Sequence, residues 1–129
     1  MRVMALDYGS GRTGVAISDP TGTIVTPLPA VRGVTARRGR RELDRLIAER
    51  EVGRVVVGLP VGLRGETAQT EEARAFAAAL AERLGPGVPV ELYDERFTTR
   101  MAQQAGGSAD EDSRAAAVLL EEWLRVRGT

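Results

Sequence analysis

Apolar residues near the start of the chain come in short runs separated by glycine- and proline-marked turns. Arg2–Asp7 has the character of a buried strand that ends in a carboxylate. Gly9, Gly11 and Gly14 mark a tight turn, and Gly14–Ser18 reads as a second short strand. Asp19-Pro20-Thr21-Gly22 is a strong turn signal. Thr23–Thr26 reads as a third strand, which Pro27 and Pro29 either end or mark as an edge. Connections this short imply an antiparallel meander.

The pattern then lengthens to helical spacing. Ala36–Arg50 places Leu43, Leu46 and Ile47 on one face. Val55-Val56-Val57 is a β-branched run suited to a strand covered on both faces, closed by Gly58-Leu59-Pro60. Thr67–Leu84 predicts a long helix with Ala73, Phe76, Ala77, Leu80 and Leu84 on its apolar stripe, stopped by Gly85-Pro86-Gly87. Val88–Tyr93 predicts the next strand, and a short helix is expected after Thr98-Thr99. Ser113–Arg127 predicts a last helix that buries Ala116, Leu119, Leu120, Trp123 and Leu124. Helical crossovers make the later strands parallel to a neighbour. The expectation is an α/β fold with one mixed sheet and helices on both faces. Its ligand edge would lie at the carboxyl ends of the parallel strands, where the loops after Asp7, Val57 and Tyr93 meet.

Composition narrows the chemistry. The chain of 129 residues fits one domain, residues 1–129. It has no cysteine, histidine or lysine. Zinc sites on imidazole or thiolate, histidine-based triads, Walker lysines and Schiff bases are therefore excluded. Catalysis would have to run on carboxylates, hydroxyls, arginines and a bound cation, for which carboxylate oxygens suit Mg²⁺ or Mn²⁺. No apolar run reaches membrane-spanning length, and the start of the chain does not read as a signal peptide, so a cytoplasmic protein with no membrane partner is expected. The formal net charge is zero, yet residues 1–65 hold 11 arginines against 6 acids and residues 66–129 hold 7 against 12. Arginine is the better residue for two-pronged phosphate contact, although a GC-rich coding bias would give the same composition.

Candidate chemistry gathers at the strand ends. Asp7 closes the first strand, Asp94-Glu95 the fifth, and Asp110-Glu111-Asp112 open the last helix. Carboxylates converging on one sheet edge repel one another unless a divalent cation sits between them. Two such cations can clamp an in-line displacement at phosphorus. Each group also has a plainer role. Asp7 would serve as a turn former, Asp94 and Glu95 as partners of Arg96 and Arg100, and Asp112 as a helix N-cap. Asp110 and Glu111 read as solvated charges. Asp7–Gly14 fits a phosphate cradle or a hairpin turn equally well. Gly58–Gly65 leads into a helix N-terminus, a ready anion site or an ordinary loop. Arg37-Arg38 and Arg40-Arg41 form the densest basic patch, suited to a nucleic-acid backbone or simply to water.

Several of these segments together resemble one family. Asp7-Tyr8-Gly9 with Arg12-Thr13-Gly14-Val15-Ala16, Val57-Gly58-Leu59-Pro60, Asp94-Glu95-Arg96-Phe97-Thr98-Thr99 and Asp112–Leu120 look like the YqgF/RuvX family, in order and across essentially the whole chain. The resemblance implies an RNase H-like three-layer α/β/α fold on a five-stranded mixed sheet. It implies a metal-dependent nuclease that uses Mg²⁺ or Mn²⁺, with Asp7, Glu95 and Asp112 as metal-binding catalytic carboxylates. Arg12 and Arg96 would steer phosphates, Thr98 and Thr99 would cap the following helix or touch the backbone, and Arg37 and Arg38 would bind nucleic acid. The implied task is 5′-end processing of pre-16S rRNA, with ribosomal precursor particles as partners. Holliday-junction or other DNA cleavage is the alternative, acting on branched or single-stranded DNA as a monomer or homodimer. Gly11 and Asp110 depart from the family pattern, where basic residues are common. They motivate a third reading, a non-catalytic nucleic-acid-binding maturation partner. A fourth, an actin-type phosphotransferase, rests on the Asp7–Gly14 turn alone.

Overall fold

The computed structural model describes residues 1–60, 65–94 and 109–127, without the side chains of residues 109 and 110. The elements run β1 (Arg2–Asp7), β2 (Arg12–Ser18), β3 (Val25–Arg32), α1 (Arg37–Glu49), β4 (Val52–Leu59), α2 (Ala68–Leu84), β5 (Val90–Asp94) and α3 (Ala109–Arg127). The five strands form one sheet in the order β3-β2-β1-β4-β5. β1, β2 and β3 pair antiparallel, as the short turns predict, while β4 pairs parallel with both β1 and β5.

Alternation along the strands feeds two cores. Met4 and Leu6 of β1 with Val55 and Val57 of β4 meet Leu43 and Ile47 of α1 and Phe76 and Leu80 of α2. Val3, Ala5, Ala16 and Val56 point to the opposite face, where Ala116, Leu119, Leu120 and Trp123 of α3 cover them. β4 is buried on both faces because it lies in the sheet interior, which explains its unbroken valines. α2 starts on Thr67, whose hydroxyl accepts from the Thr70 amide while the Thr70 hydroxyl accepts from the Thr67 amide. Gly85 ends it at φ 74°, a positive-φ backbone that glycine adopts without strain.

Two element bounds are corrected. The third strand runs from Val25 to Arg32 rather than from Thr23 to Thr26 and passes through both prolines, so of the two roles expected of them the edge one holds. It is an edge strand, so a missing amide there costs no internal ladder bond. Pro29 and Ala30 also sit in a β-bulge, since Thr13 pairs with Val31 and Val15 with Leu28. The last helix begins at Ala109 rather than Ser113, so Asp112 lies within the helix and is not its N-cap. The short helix expected after Thr98-Thr99 lies outside the described residues.

Candidate active site

The parallel strands β1, β4 and β5 place their carboxyl ends on one edge, with Asp7 level with Gly58 and Leu59 level with Asp94. Asp7 is flanked by glycine on both sides, Gly14 on β2 and Gly58 on β4. Among the described residues, neither neighbouring strand therefore sets a side chain directly beside it. Val3 and Ala5 belong to the core under α3, so the strand period puts Asp7 on that same face.

α3 comes down onto this spot because Gly14 lets it. A Cβ at Gly14 would lie 1.9 Å from the Asp112 carbonyl oxygen and 2.3 Å from its carbonyl carbon. The backbone of Asp112 thus rests directly on β2, about one strand spacing (~4.8 Å) to the side of Asp7. Ser113 fixes the contact. Its buried hydroxyl accepts from the Val15 amide at 3.3 Å and donates to the Leu28 carbonyl. The hydroxyl bridges β2 and β3 where the bulge shifts their register.

Asp112 also meets a cation. Arg12 Nε lies 3.0 Å from Asp112 Oδ2, with the two side chains 36% and 34% exposed. Water screens a pair this open, so it contributes at most about 1 kcal/mol to stability. Its consequence is placement, because a guanidinium is held at the carboxylate edge. Behind the edge, on the α1/α2 face, Tyr8 stacks on Phe76 with ring centroids 4.9 Å apart. Burial, helped by the Glu72 charge, pushes the Tyr8 phenol above its usual range, so it stays neutral and serves as an anchor.

Glu111, expected to be solvated, instead buries Oε2, which has no hydrogen-bond partner among the described residues. The carboxylate oxygens of Asp7 and Asp112 are donors of the kind a hard divalent ion takes. Among the described residues no three acids form a complete cage. Mg²⁺, however, is commonly held by one or two carboxylates, with water and substrate phosphate filling the remaining positions. Asp7 and Asp112 fit that requirement.

A family model described as "RuvX: Holliday junction resolvase" matches residues 1–126 of the chain. The chain belongs to the RuvX family. Relatives within it carry the name "Putative pre-16S rRNA nuclease". The protein of Mycobacterium leprae is 43% identical over 95% of this chain and 72% of its own length. That of Chloroflexus aurantiacus is 39% identical over 97% and 87%, and that of an Anaeromyxobacter species 42% over 98% of both. Among solved structures, Thermus thermophilus RuvC in complex with Holliday junction substrate superposes with a TM-score of 0.62 at 16% identity, covering 99% of this chain and 96% of that one. The fowlpox virus Holliday junction resolvase gives 0.61 at 12% identity, covering 98% and 99%. At these identities the likeness shows the fold, which is RNase H-like.

Within this RuvX fold, Asp7, Asp112 and Arg12 come together at the sheet edge. Glu95, Arg96, Thr98 and Thr99 lie outside the described residues. Arg37 and Arg38 open α1, exposed to solvent. Gly58, which the sequence offers as the start of an anion-binding stretch or an ordinary loop, clears one flank of Asp7. Two further residues show their role only in the structure. Ser113 carries no signal of its own, since only the fold reveals a bulge for it to bridge. Arg32 pairs directly with Arg12 across β2 and β3, which needs the strand register to see.

Proposed function

We propose that this RuvX-family chain is a divalent-metal-dependent nuclease that hydrolyses phosphodiester bonds, with the 5′ end of pre-16S rRNA as its substrate. The observation that carries the reading is the meeting of Asp7 and Asp112 at a glycine-cleared sheet edge, with the Arg12 guanidinium beside them. Asp7 and Asp112 would hold Mg²⁺ or Mn²⁺, and the family resemblance supplies Glu95 as the third ligand. The bound ion would polarise the phosphate and lower the pKa of water.

The chain's own residues supply binding and position. Arg12 offers a planar fork to a phosphate oxygen once a cation takes over Asp112. Arg37 and Arg38 make the first backbone contacts beyond the site, with Arg96, Thr98 and Thr99 contributing from the segment after β5. Gly14 and Ser113 hold the two aspartates in register, and that matters because small misplacements of catalytic groups cost large factors in rate. Family membership favours this reading over the phosphotransferase one; the family model's description names a Holliday junction resolvase, and it is the names of the relatives 39–43% identical to this chain that support RNA.

The test is a cleavage panel. Labelled 5′-extended 16S precursor, linear single strands and a four-way junction are incubated with wild type or Asp7→Asn, in Mg²⁺, Mn²⁺ or EDTA. The reading requires metal-dependent cutting of the precursor that vanishes in Asp7→Asn. Preferential cutting of the four-way junction would transfer the activity to DNA resolution. Tight binding with no turnover in any metal would make the protein a non-catalytic maturation partner.

A further inference from the structure

We infer that Arg32, Arg37, Arg38, Arg41 and Arg45 form a track that carries one nucleic-acid strand away from the Asp7 edge along the outer face of α1. The inference rests on the nuclease reading and adds a path for the substrate. α1 buries Gly39, Leu43 and Ile47. At 100° per residue, Arg37, Arg38, Arg41 and Arg45 all fall on the side opposite those three. All four are exposed, and with Glu42 they line an open groove of about 700 Å³. Among the described residues none of the five arginines has an ion-pair partner. Arginines spaced i, i+4 on one helix face repel one another, as do the cross-strand neighbours Arg12 and Arg32. An arrangement of this kind suits a bound polyanion.

The track starts at the site and is held there. β3 runs in the same direction as β1, so Arg32 and the start of α1 share the edge that carries Asp7. The Gly33 amide donates to the Gly11 carbonyl at 3.1 Å, which ties the β3–α1 turn to the loop after Asp7. A Cβ at Gly39 would fall 1.9 Å from the Gly33 carbonyl oxygen, so the first turn of α1 is seated directly on that connection. From Arg37 to Arg45 the helix rises about 12 Å. That is on the order of three phosphates of one strand at roughly 3.4 Å each. Among the described residues the groove is lined by four arginines and Glu42, with none of the aromatic or aliphatic side chains that a protein partner's interface would need at its centre. A sugar–phosphate backbone needs only the charges.

The test measures binding of a mixed-sequence 20-nucleotide single-stranded RNA in EDTA, where nothing is cut. The dissociation constant is followed against salt for wild type and for Arg37→Gln/Arg38→Gln/Arg41→Gln/Arg45→Gln. A control variant of equal charge change, Arg50→Gln/Arg74→Gln/Arg83→Gln/Arg125→Gln, separates the track from net charge, and circular dichroism verifies both folds. The track variant should bind at least about tenfold more weakly near 100 mM salt, and its log–log salt slope should shrink by about 2–3, at roughly 0.7 per phosphate contact. Adding Arg32→Gln should remove about 0.7 more. Equal losses in both variants would overturn the inference, and so would loss of binding to poly-glutamate with RNA affinity intact. If the track variant binds RNA like wild type while Asp7→Asn still abolishes cleavage, the track fails and the nuclease reading stands. If no variant binds or cuts nucleic acid, both fail.

Discussion

Gly14→Ala isolates the contact that joins the two aspartates. The added methyl would sit 1.9 Å from the Asp112 carbonyl oxygen, 2.3 Å from its carbonyl carbon and 2.9 Å from the Ser113 amide nitrogen, all of them backbone atoms. Reaching an ordinary separation near 3.4 Å requires the start of α3 to retreat by about 1.5 Å. Overpacking of this sort costs about 1–3 kcal/mol. The same retreat pulls the Ser113 hydroxyl from the Val15 amide and the Leu28 carbonyl, two buried bonds that contribute about 0.5–1.5 kcal/mol each. The sum is a loss of roughly 2–6 kcal/mol in urea unfolding. Gly11→Ala is the matched control. Among the described residues a Cβ there meets nothing within 4 Å, so its effect should stay within about 0.5 kcal/mol. Cleavage should fall by on the order of a hundredfold in Gly14→Ala even where the protein remains folded, because Asp112 is displaced by more than 1 Å relative to Asp7. A Gly14→Ala protein with wild-type unfolding and wild-type cleavage would refute the proposed seating of α3.

Two further outcomes follow from single groups. Ser113→Ala leaves the Val15 amide and the Leu28 carbonyl without their shared partner in a buried setting, and should cost about 1–3 kcal/mol in urea unfolding, with the circular dichroism spectrum unchanged. Burial alone would raise the Glu91 carboxyl. The hydrogen bonds from Trp123 and Arg127, with the charges of Arg127 and Arg54, outweigh it and hold the group below its usual range. A depressed carboxylate adds stability that is present above its unfolded pKa and is lost as pH falls through the lower folded value. The urea midpoint of wild type should therefore drop between about pH 6 and pH 3 more steeply than that of Glu91→Gln, and parallel curves would contradict the assignment.

The order of elements and the three-layer plan were legible in the sequence because hydrophobic period and turn chemistry are local properties. Val55-Val56-Val57 announces a strand covered on both sides, and the strand is so covered. The glycine punctuation between Asp7 and Gly14 announces a turn between antiparallel strands, and β1 and β2 pair that way. Where the reading failed, the deciding physics was tertiary. Pro27 and Pro29 fit either a strand end or an edge strand, and the edge reading holds, but the strand's reach to Arg32 depends on a bulge that no few residues encode. Asp112 has the sequence context of an N-cap, because an acid followed by Ser113 and a run of alanines is a common helix start. The helix in fact extends back to Ala109, which turns Asp112 from a cap into a residue of its first turns. Asp7 could be picked out as chemistry-bearing from its place before a glycine turn. Its partnership with Asp112 across the sheet depends on Gly14 lacking a side chain, a contact between residues far apart in the chain.

The most direct test of the central claim is binding of Mn²⁺ itself, followed by electron paramagnetic resonance of the free ion with wild type, Asp7→Asn and Asp112→Asn. If the two aspartates hold one ion between them, wild type should take up Mn²⁺ and each substitution should weaken uptake by at least about tenfold, since each removes one charged ligand while circular dichroism stays unchanged. Equal uptake by wild type and Asp7→Asn would contradict the account, because the carboxylate flanked by Gly14 and Gly58 would then not be a metal ligand.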